Sequence, residues 1–181
     1  MIFVFLANGF EEAEAFVPVD VLRRAKIAVR TVGIGADTII GAHGVRVIPD
    51  VLETDIIPNA ECDGIVLPGG MPGTLNLQKS KVVENFIDYS AINRKVLAAI
   101  CAAPSLLGRK GYLRDKTVTC YPGFEKQLIG ANFVDLPVCT DGRIITAWGA
   151  GAAFEFSLAI VECIKGIKYA DEIRESIRCV H

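Results

Sequence analysis

The residue best placed to do chemistry is a cysteine at position 101. It ends an apolar run of strand length in Val96-Leu97-Ala98-Ala99-Ile100-Cys101-Ala102-Ala103-Pro104. Pro104 then opens the helix-like Ser105-Leu106-Leu107. A strand that doubles back into a helix needs small residues around the turn. Ala99 and Ala103 stand two places either side of Cys101. Small-x-nucleophile-x-small is the logic of a nucleophile elbow. It predicts a strained Cys101 with positive φ and a helix starting near Ala102. Backbone N–H groups and the dipole of that helix start are expected to favour thiolate. The competing reading is a core cysteine at a strand end, because free cysteine is among the most buried residue types.

Two other stretches carry groups that a thiol could use. Asn8-Gly9-Phe10-Glu11-Glu12-Ala13-Glu14 offers carboxylates, and Leu67-Pro68-Gly69-Gly70-Met71-Pro72-Gly73 offers a glycine-rich turn. A nucleophilic thiol needs a neighbour to take or share its proton. An oxyanion formed on a carbonyl substrate needs N–H donors, which Gly70 and Ala102 can supply. The same residues have plainer uses. Acidic residues suit the first turn of a helix, and Pro68-Gly69-Gly70 also reads as an ordinary strand-ending turn.

The elements that must position these groups alternate between strand and helix. Residues 1–7 read as a buried strand, and Glu11 to Lys26 as a helix with Phe16, Val17, Val21 and Leu22 at helical spacing. Pro18 falls inside that helix and is expected to bend it. Ala28–Ile34 is a second strand, and Thr38–Ile40 with Val45–Ile48 a hairpin around Gly41 and Gly44. Gly64–Leu67, Val96–Ile100, Val118–Cys120 and Ile144–Ala147 are further strands. Val82–Ile92, Gly151–Lys165 and Tyr169–Arg178 are further helices. Continuous apolar strands between helices predict a mostly parallel sheet covered on both faces. Function then belongs at the carboxyl ends of the strands, where the three loops meet.

Composition narrows the class. The 181 residues suit one domain, 1–181, with a substantial core. Half of them are apolar and the net charge is −2, which points to neither nucleic acid nor an anionic membrane. No apolar run reaches about 18 residues, so no membrane span is expected. The start Met1-Ile2-Phe3-Val4-Phe5-Leu6 lacks a preceding basic residue and reads as a strand, not a signal peptide. The six cysteines (62, 101, 120, 139, 163 and 179) form no C-x-x-C pair and read as cytosolic thiols.

In order along the chain, Gly9-Phe10-Glu11-Glu12-Ala13-Glu14 with Pro18-Val19-Asp20, Leu67-Pro68-Gly69-Gly70, Ala98-Ala99-Ile100-Cys101-Ala102-Ala103-Pro104, and Phe154-Glu155-Phe156 with Ala159-Ile160-Val161-Glu162 resemble the ThiJ/PfpI superfamily. The likeness is greatest to the branch of the Parkinson-disease protein deglycase and its bacterial relatives. The resemblance implies a flavodoxin-like three-layer α/β sandwich, usually a homodimer. It implies Cys101 as the reactive cysteine and Glu14 as a protonated carboxyl that donates to the sulfur. It matches Gly69, Gly70 and Ala102 to the backbone N–H donors. Arg23 or Arg24 would approach the active site of the partner in the dimer.

The departures bear on activity. Peptidase members carry histidine directly after the cysteine, where this chain has Ala102. The human-type branch has a histidine near the end of the following strand, where this chain has Tyr121. The two histidines are His181, expected to fray as the last residue, and His43 in the hairpin. His43 is an exposed turn residue or a substrate contact, and Tyr121 is a substrate contact that cannot act as a base near neutral pH. No Cys-His dyad of the protease kind results. Gly69-Gly70 precedes Met71-Pro72 rather than Lys-Ser/Thr, so no phosphate loop supports a thiazole-biosynthesis role.

Two function classes follow from the resemblance and the thiol. One is a cofactor-independent glyoxalase or deglycase, with small reactive carbonyls or glycated thiols and amines as substrates. The other is a redox-sensing chaperone, in which Cys101 becomes a sulfinate held by Glu14.

Overall fold

The computed structural model describes residues 1–179. His181 lies outside them. In chain order the elements are β1 (Ile2–Ala7), α1 (Glu12–Arg24), β2 (Val29–Ile34), β3 (Ile39–Ile40), β4 (Arg46–Val47), β5 (Val51–Leu52) and β6 (Gly64–Leu67). Then come α2 (Gly73–Lys79), α3 (Lys81–Ile92), β7 (Val96–Ile100), α4 (Pro104–Arg109), β8 (Thr117–Val118) and β9 (Asn132–Phe133). The chain closes with β10 (Val138–Asp141), β11 (Ile144–Ala147), α5 (Ala153–Lys165) and α6 (Ile167–Ser176).

The main sheet runs β10-β11-β7-β6-β1-β2-β5 and is parallel except for the edge strand β10. Its inner strands β2-β1-β6-β7-β11 follow the doubly wound order of flavodoxin-like folds. The strands are apolar throughout because both faces are covered. In β1, Ile2, Val4 and Leu6 enter a core shared with Val19, Leu22, Phe156 and Ile160 of α1 and α5. Phe3, Phe5 and Ala7 enter the opposite core with Leu77, Phe86 and Leu106 of α2, α3 and α4. Phe86 meets Phe3 and Phe5 edge to face, with ring centroids 5.1 and 5.2 Å away. Among the described residues no helix is long and apolar enough to cross a membrane.

The expected strands and helices recur, joined by the short strands β5, β9 and β10 and with further differences. The expected Val118–Cys120 strand is shortened to Thr117–Val118 and pairs with β9 outside the main sheet. The chain turns off there because the Tyr121 N–H reaches back to the Cys101 carbonyl at 2.9 Å. The helix α2 has no forerunner in the sequence reading, because seven residues are too few to display a helical period. In α1 the buried positions are Glu14, Ala15, Pro18, Val19, Val21 and Leu22, whereas Phe16 and Val17 are half-buried. Pro18 sits inside this helix, which continues to Arg24.

Because Phe86 anchors one core through two aromatic contacts, Phe86→Ala should destabilise the chain by about 3–5 kcal/mol. Urea unfolding followed by circular dichroism measures it. A loss below about 1 kcal/mol would show that this core collapses around the cavity.

Candidate functional site

Cys101 stands at the end of β7 with φ 64°, in the left-handed region that side chains rarely adopt. Such a residue costs roughly 1–2 kcal/mol and persists only when its surroundings fix it. Two hydrogen bonds do so. The Cys101 N–H donates to the Ala147 carbonyl at 2.8 Å, and its carbonyl accepts from the Tyr121 N–H. The elbow is therefore held by β11 on one side and by the post-β8 loop on the other. The helix that follows, α4, begins at Pro104 rather than near Ala102 and has only six residues. Residues 101–103 form a turn.

Glu14 lies in the first turn of α1 and is 1% exposed. Its Oε2 accepts the Gly69 N–H at 2.8 Å. The Cys101 thiol and the Ala150 N–H are its other hydrogen-bonding neighbours. Burial raises its pKa from 4.5 to about 7, against the pull of the Gly69 N–H. Gly69 has no room for a side chain. A Cβ there would sit 2.6 Å from the Cys101 Cβ and 2.7 Å from Glu14 Oε2. Gly70 adopts φ 86° and packs against the first loop, where a Cβ would come within 2.4 Å of the Glu11 nitrogen. The two loops are stapled there by the Glu11 N–H on the Gly69 carbonyl at 3.0 Å.

The sulfur faces the N–H groups of Gly70 and Ala102. Gly69 departs from the expected donor set, because its N–H is already spent on Glu14. The thiolate expectation is also corrected. Burial first, and the Glu14 charge second, push the Cys101 thiol up, and the two N–H groups only partly offset them. Burial raises the other five thiols too. What sets Cys101 apart is therefore its partner. A carboxyl that titrates near neutral pH stands against the sulfur and can take its proton.

The remaining expected contacts divide. The half-exposed Tyr121 ring flanks the site, since a Cβ on Gly149 would lie 3.3 Å from Tyr121 Cδ2 and 4.0 Å from Glu14 Oε1. His43 is exposed and faces α1. Its Nδ1 lies 2.8 Å from Glu12 Oε2 and 3.6 Å from Glu11 Oε2, and the Glu12 contact raises its pKa. Among the described residues, Glu11, Glu12 and His43 are the group close enough to share a metal ion. Glu12 is already bonded there to the His43 N–H and ring. Arg24 pairs with Asp20 at 2.7 Å and Arg23 with Asp50 at 2.8 Å. Arg24 lies ten residues along α1 from Glu14, about 15 Å of helix, so within one chain it does not reach the thiol.

Sequence reasoning missed the fourth loop, Trp148-Gly149-Ala150 after β11. Its small residues at a strand's carboxyl end were the available signal. Four neighbouring strands, β1, β6, β7 and β11, thus each send one loop to a single rim. The model of the DJ-1/PfpI family matches residues 1–163, which include all four loops. The chain belongs to the DJ-1/PfpI family. Over 175 residues it is 35% identical to the Parkinson disease protein 7 homolog of Danio rerio, covering 94% of this chain and 93% of that one. It is 34% identical to a glutathione-independent glyoxalase of Caenorhabditis elegans, DJR-1.2, over 86% of this chain and 83% of that protein. The oxidized DJ-1 of Toxoplasma gondii superposes with a TM-score of 0.94 at 29% identity, covering 99% of this chain and 98% of that one. The DJ-1/PfpI membership and the flavodoxin-like fold therefore agree with the resemblance read from the sequence.

The Glu14 environment has a consequence for stability. A folded-state pKa above the unfolded value means that the fold binds this proton more tightly than the unfolded chain. The stabilisation is complete below pH 4.5 and is lost as pH rises to about 7. Relative to Glu14→Gln, which does not titrate, the wild type should lose about 3 kcal/mol across that window. Chemical denaturation at pH 4.5, 6 and 7.5 tests it. Parallel pH curves for the two proteins would show that Glu14 is not desolvated.

Proposed function

We propose that this chain is a cysteine-dependent enzyme acting on reactive carbonyls, as a cofactor-independent glyoxalase or as a deglycase of methylglyoxal adducts. The observation that carries the reading is the buried Glu14 carboxyl against the Cys101 thiol, with the Gly70 and Ala102 N–H groups facing the same sulfur. With methylglyoxal, the Cys101 sulfur bonds to the aldehyde carbon while Glu14 takes the thiol proton. The new alkoxide is stabilised by N–H donors of the Gly70 and Ala102 kind and becomes the hydroxyl of a hemithioacetal. Glu14 then moves the proton from the former aldehyde carbon to the adjacent carbon through an enediol, leaving a thioester. Water cleaves the thioester, releases lactate and restores the thiol. One water is consumed, and no redox partner enters.

A second reading uses the same centre as a sensor. Two equivalents of peroxide convert the thiol to a sulfinic acid with release of two waters. A protonated Glu14 donates to a sulfinate oxygen and holds that state. The solved oxidized relative from Toxoplasma gondii supports keeping this reading.

Lactate formation from methylglyoxal, without glutathione, separates the two. Turnover should vanish in Cys101→Ser and fall on the order of 100-fold in Glu14→Gln. Tyr121→Phe should lose less than about tenfold, because one hydrogen bond to substrate is at stake. The wild-type rate should climb through about pH 7, as Glu14 loses its proton, and Glu14→Gln should lack that rise. No turnover, with peroxide adding two oxygens to Cys101 before the other cysteines, would leave the sensor reading.

A further inference from the structure

One aromatic ring at the Cys101 rim has no role in the fold. Tyr121 is half-exposed, although the three residues before it, Val118, Thr119 and Cys120, are buried. Its backbone is pinned at both ends. The Tyr121 N–H donates to the Cys101 carbonyl at 2.9 Å, and the Tyr121 carbonyl accepts from the Phe124 N–H at 3.2 Å. The root of the ring is therefore one hydrogen bond from the peptide of the nucleophile.

The hydroxyl does not explain why this ring is held out. Among the described residues the Tyr112 hydroxyl donates to Asp88 at 2.7 Å, whereas that of Tyr121 has no such partner. What remains is the ring itself. An exposed aromatic face on a fixed backbone is a surface for another flat apolar group.

Gly149 sets where the ring lies. Its backbone is extended, with φ 163° and ψ −175°, so no strain calls for glycine there. A side chain would meet the ring instead. A Cβ would lie 3.3 Å from Tyr121 Cδ2, 3.7 Å from Tyr121 Cε2 and 4.0 Å from Glu14 Oε1. The bare glycine lets the ring settle against the loop after β11. It rests there beside the Glu14 oxygen that does not take the Gly69 N–H. At Gly69, by contrast, Cys101 and Glu14 themselves exclude a side chain.

Charge at the rim bears on what the ring can receive. His43 faces Glu12 at 2.8 Å and Glu11 at 3.6 Å, two carboxylates against one imidazole. Arg23 and Arg24 are committed to Asp50 and Asp20. A substrate body with its own carboxylate or phosphate meets repulsion from Glu11 and Glu12, and an uncharged body does not.

We propose that the Tyr121 ring, positioned by Gly149, selects 2-oxoaldehydes with an uncharged aromatic body over methylglyoxal. The inference rests on the carbonyl reaction proposed for Cys101 and Glu14. The ring stacks on the body of the substrate while the aldehyde carbon meets the sulfur. With phenylglyoxal the sulfur bonds to the aldehyde carbon, and Glu14 takes the thiol proton. A proton then moves from that carbon to the former ketone carbon through an enediol. Water cleaves the resulting thioester, which releases mandelate and restores the thiol. One water is consumed, and no external oxidant or reductant enters.

The test compares kcat/KM for phenylglyoxal and methylglyoxal in the full chain, each normalised to its rate with N-acetylcysteine. The wild type should favour phenylglyoxal by about tenfold. Tyr121→Phe, which keeps the ring, should keep that ratio. Tyr121→Leu should lower it by about tenfold, chiefly through the KM for phenylglyoxal. Gly149→Ala, which displaces the ring, should lower it as well. Tyr169→Leu, which removes an exposed ring on α6, should leave it unchanged. All four variants should keep the wild-type Tm. A second readout needs no turnover. Alkylation of Cys101 by iodoacetanilide relative to iodoacetamide, followed by peptide mass spectrometry, should show the same aromatic preference and the same loss in Tyr121→Leu. Turnover of both glyoxals at a ratio that Tyr121→Leu does not move would overturn this inference and leave the carbonyl reading standing. An alkylation preference that survives Tyr121→Leu would overturn it too. Absence of turnover with either glyoxal would overturn the carbonyl reading, and this inference with it.

Discussion

The burial of one carboxyl against one thiol is the constraint from which the rest of this site follows. Glu14 is almost inaccessible and accepts the Gly69 N–H. An ionised carboxylate in that place is costly, so the group titrates near neutral pH instead of near the ordinary carboxylate range. The same burial raises the thiol. Each group alone is poorly suited to catalysis at neutral pH. Side by side they form a pair in which a proton can pass from sulfur to oxygen as the sulfur attacks. The geometry therefore offers a coupled pair and not a preformed thiolate.

That contact demands a particular backbone. Gly69 must be glycine because Cys101 and Glu14 already occupy the space of its Cβ. Cys101 must sit in the left-handed region for its side chain to meet Glu14, and the bonds to Ala147 and Tyr121 hold it there. The sheet supplies the anchoring. Strands β1, β6, β7 and β11 lie next to one another, so their carboxyl-end loops converge without long connections. A core on each face keeps those strands fixed while the loops carry the strain.

Charge is distributed unevenly between the two poles. At the rim, Glu11 raises the pKa of Glu14, and His43 is drawn to Glu11 and Glu12. At the far end of the same strands, Lys116 pairs with Asp141 and the Arg143 side chain meets the Cys163 thiol. The parallel sheet separates these environments by the length of a strand.

The sequence alone determined what short-range sterics and periodicity control. The apolar runs at 2–7, 64–67, 96–100 and 144–147 are strands because both of their faces are covered. The small residues around Cys101 specify the elbow, since the tight turn is a local demand. Spacing left Glu11, Glu12 and Glu14 as three candidate carboxylates, and the family resemblance singled out Glu14. Only the tertiary structure shows which of the three faces Cys101. The helix turns that residue inward against Gly69 and leaves Glu12 to the hairpin at His43. The protonation of Cys101 was misread from helix position alone, because burial by residues distant in sequence outweighs a short helix start. Gly149 and Ala150 entered the site through pairing of β11 with β7, and Lys116 met Asp141 across 25 residues of chain. Burial and the sum of charges depend on contacts between remote segments, and those exist only once the chain has folded.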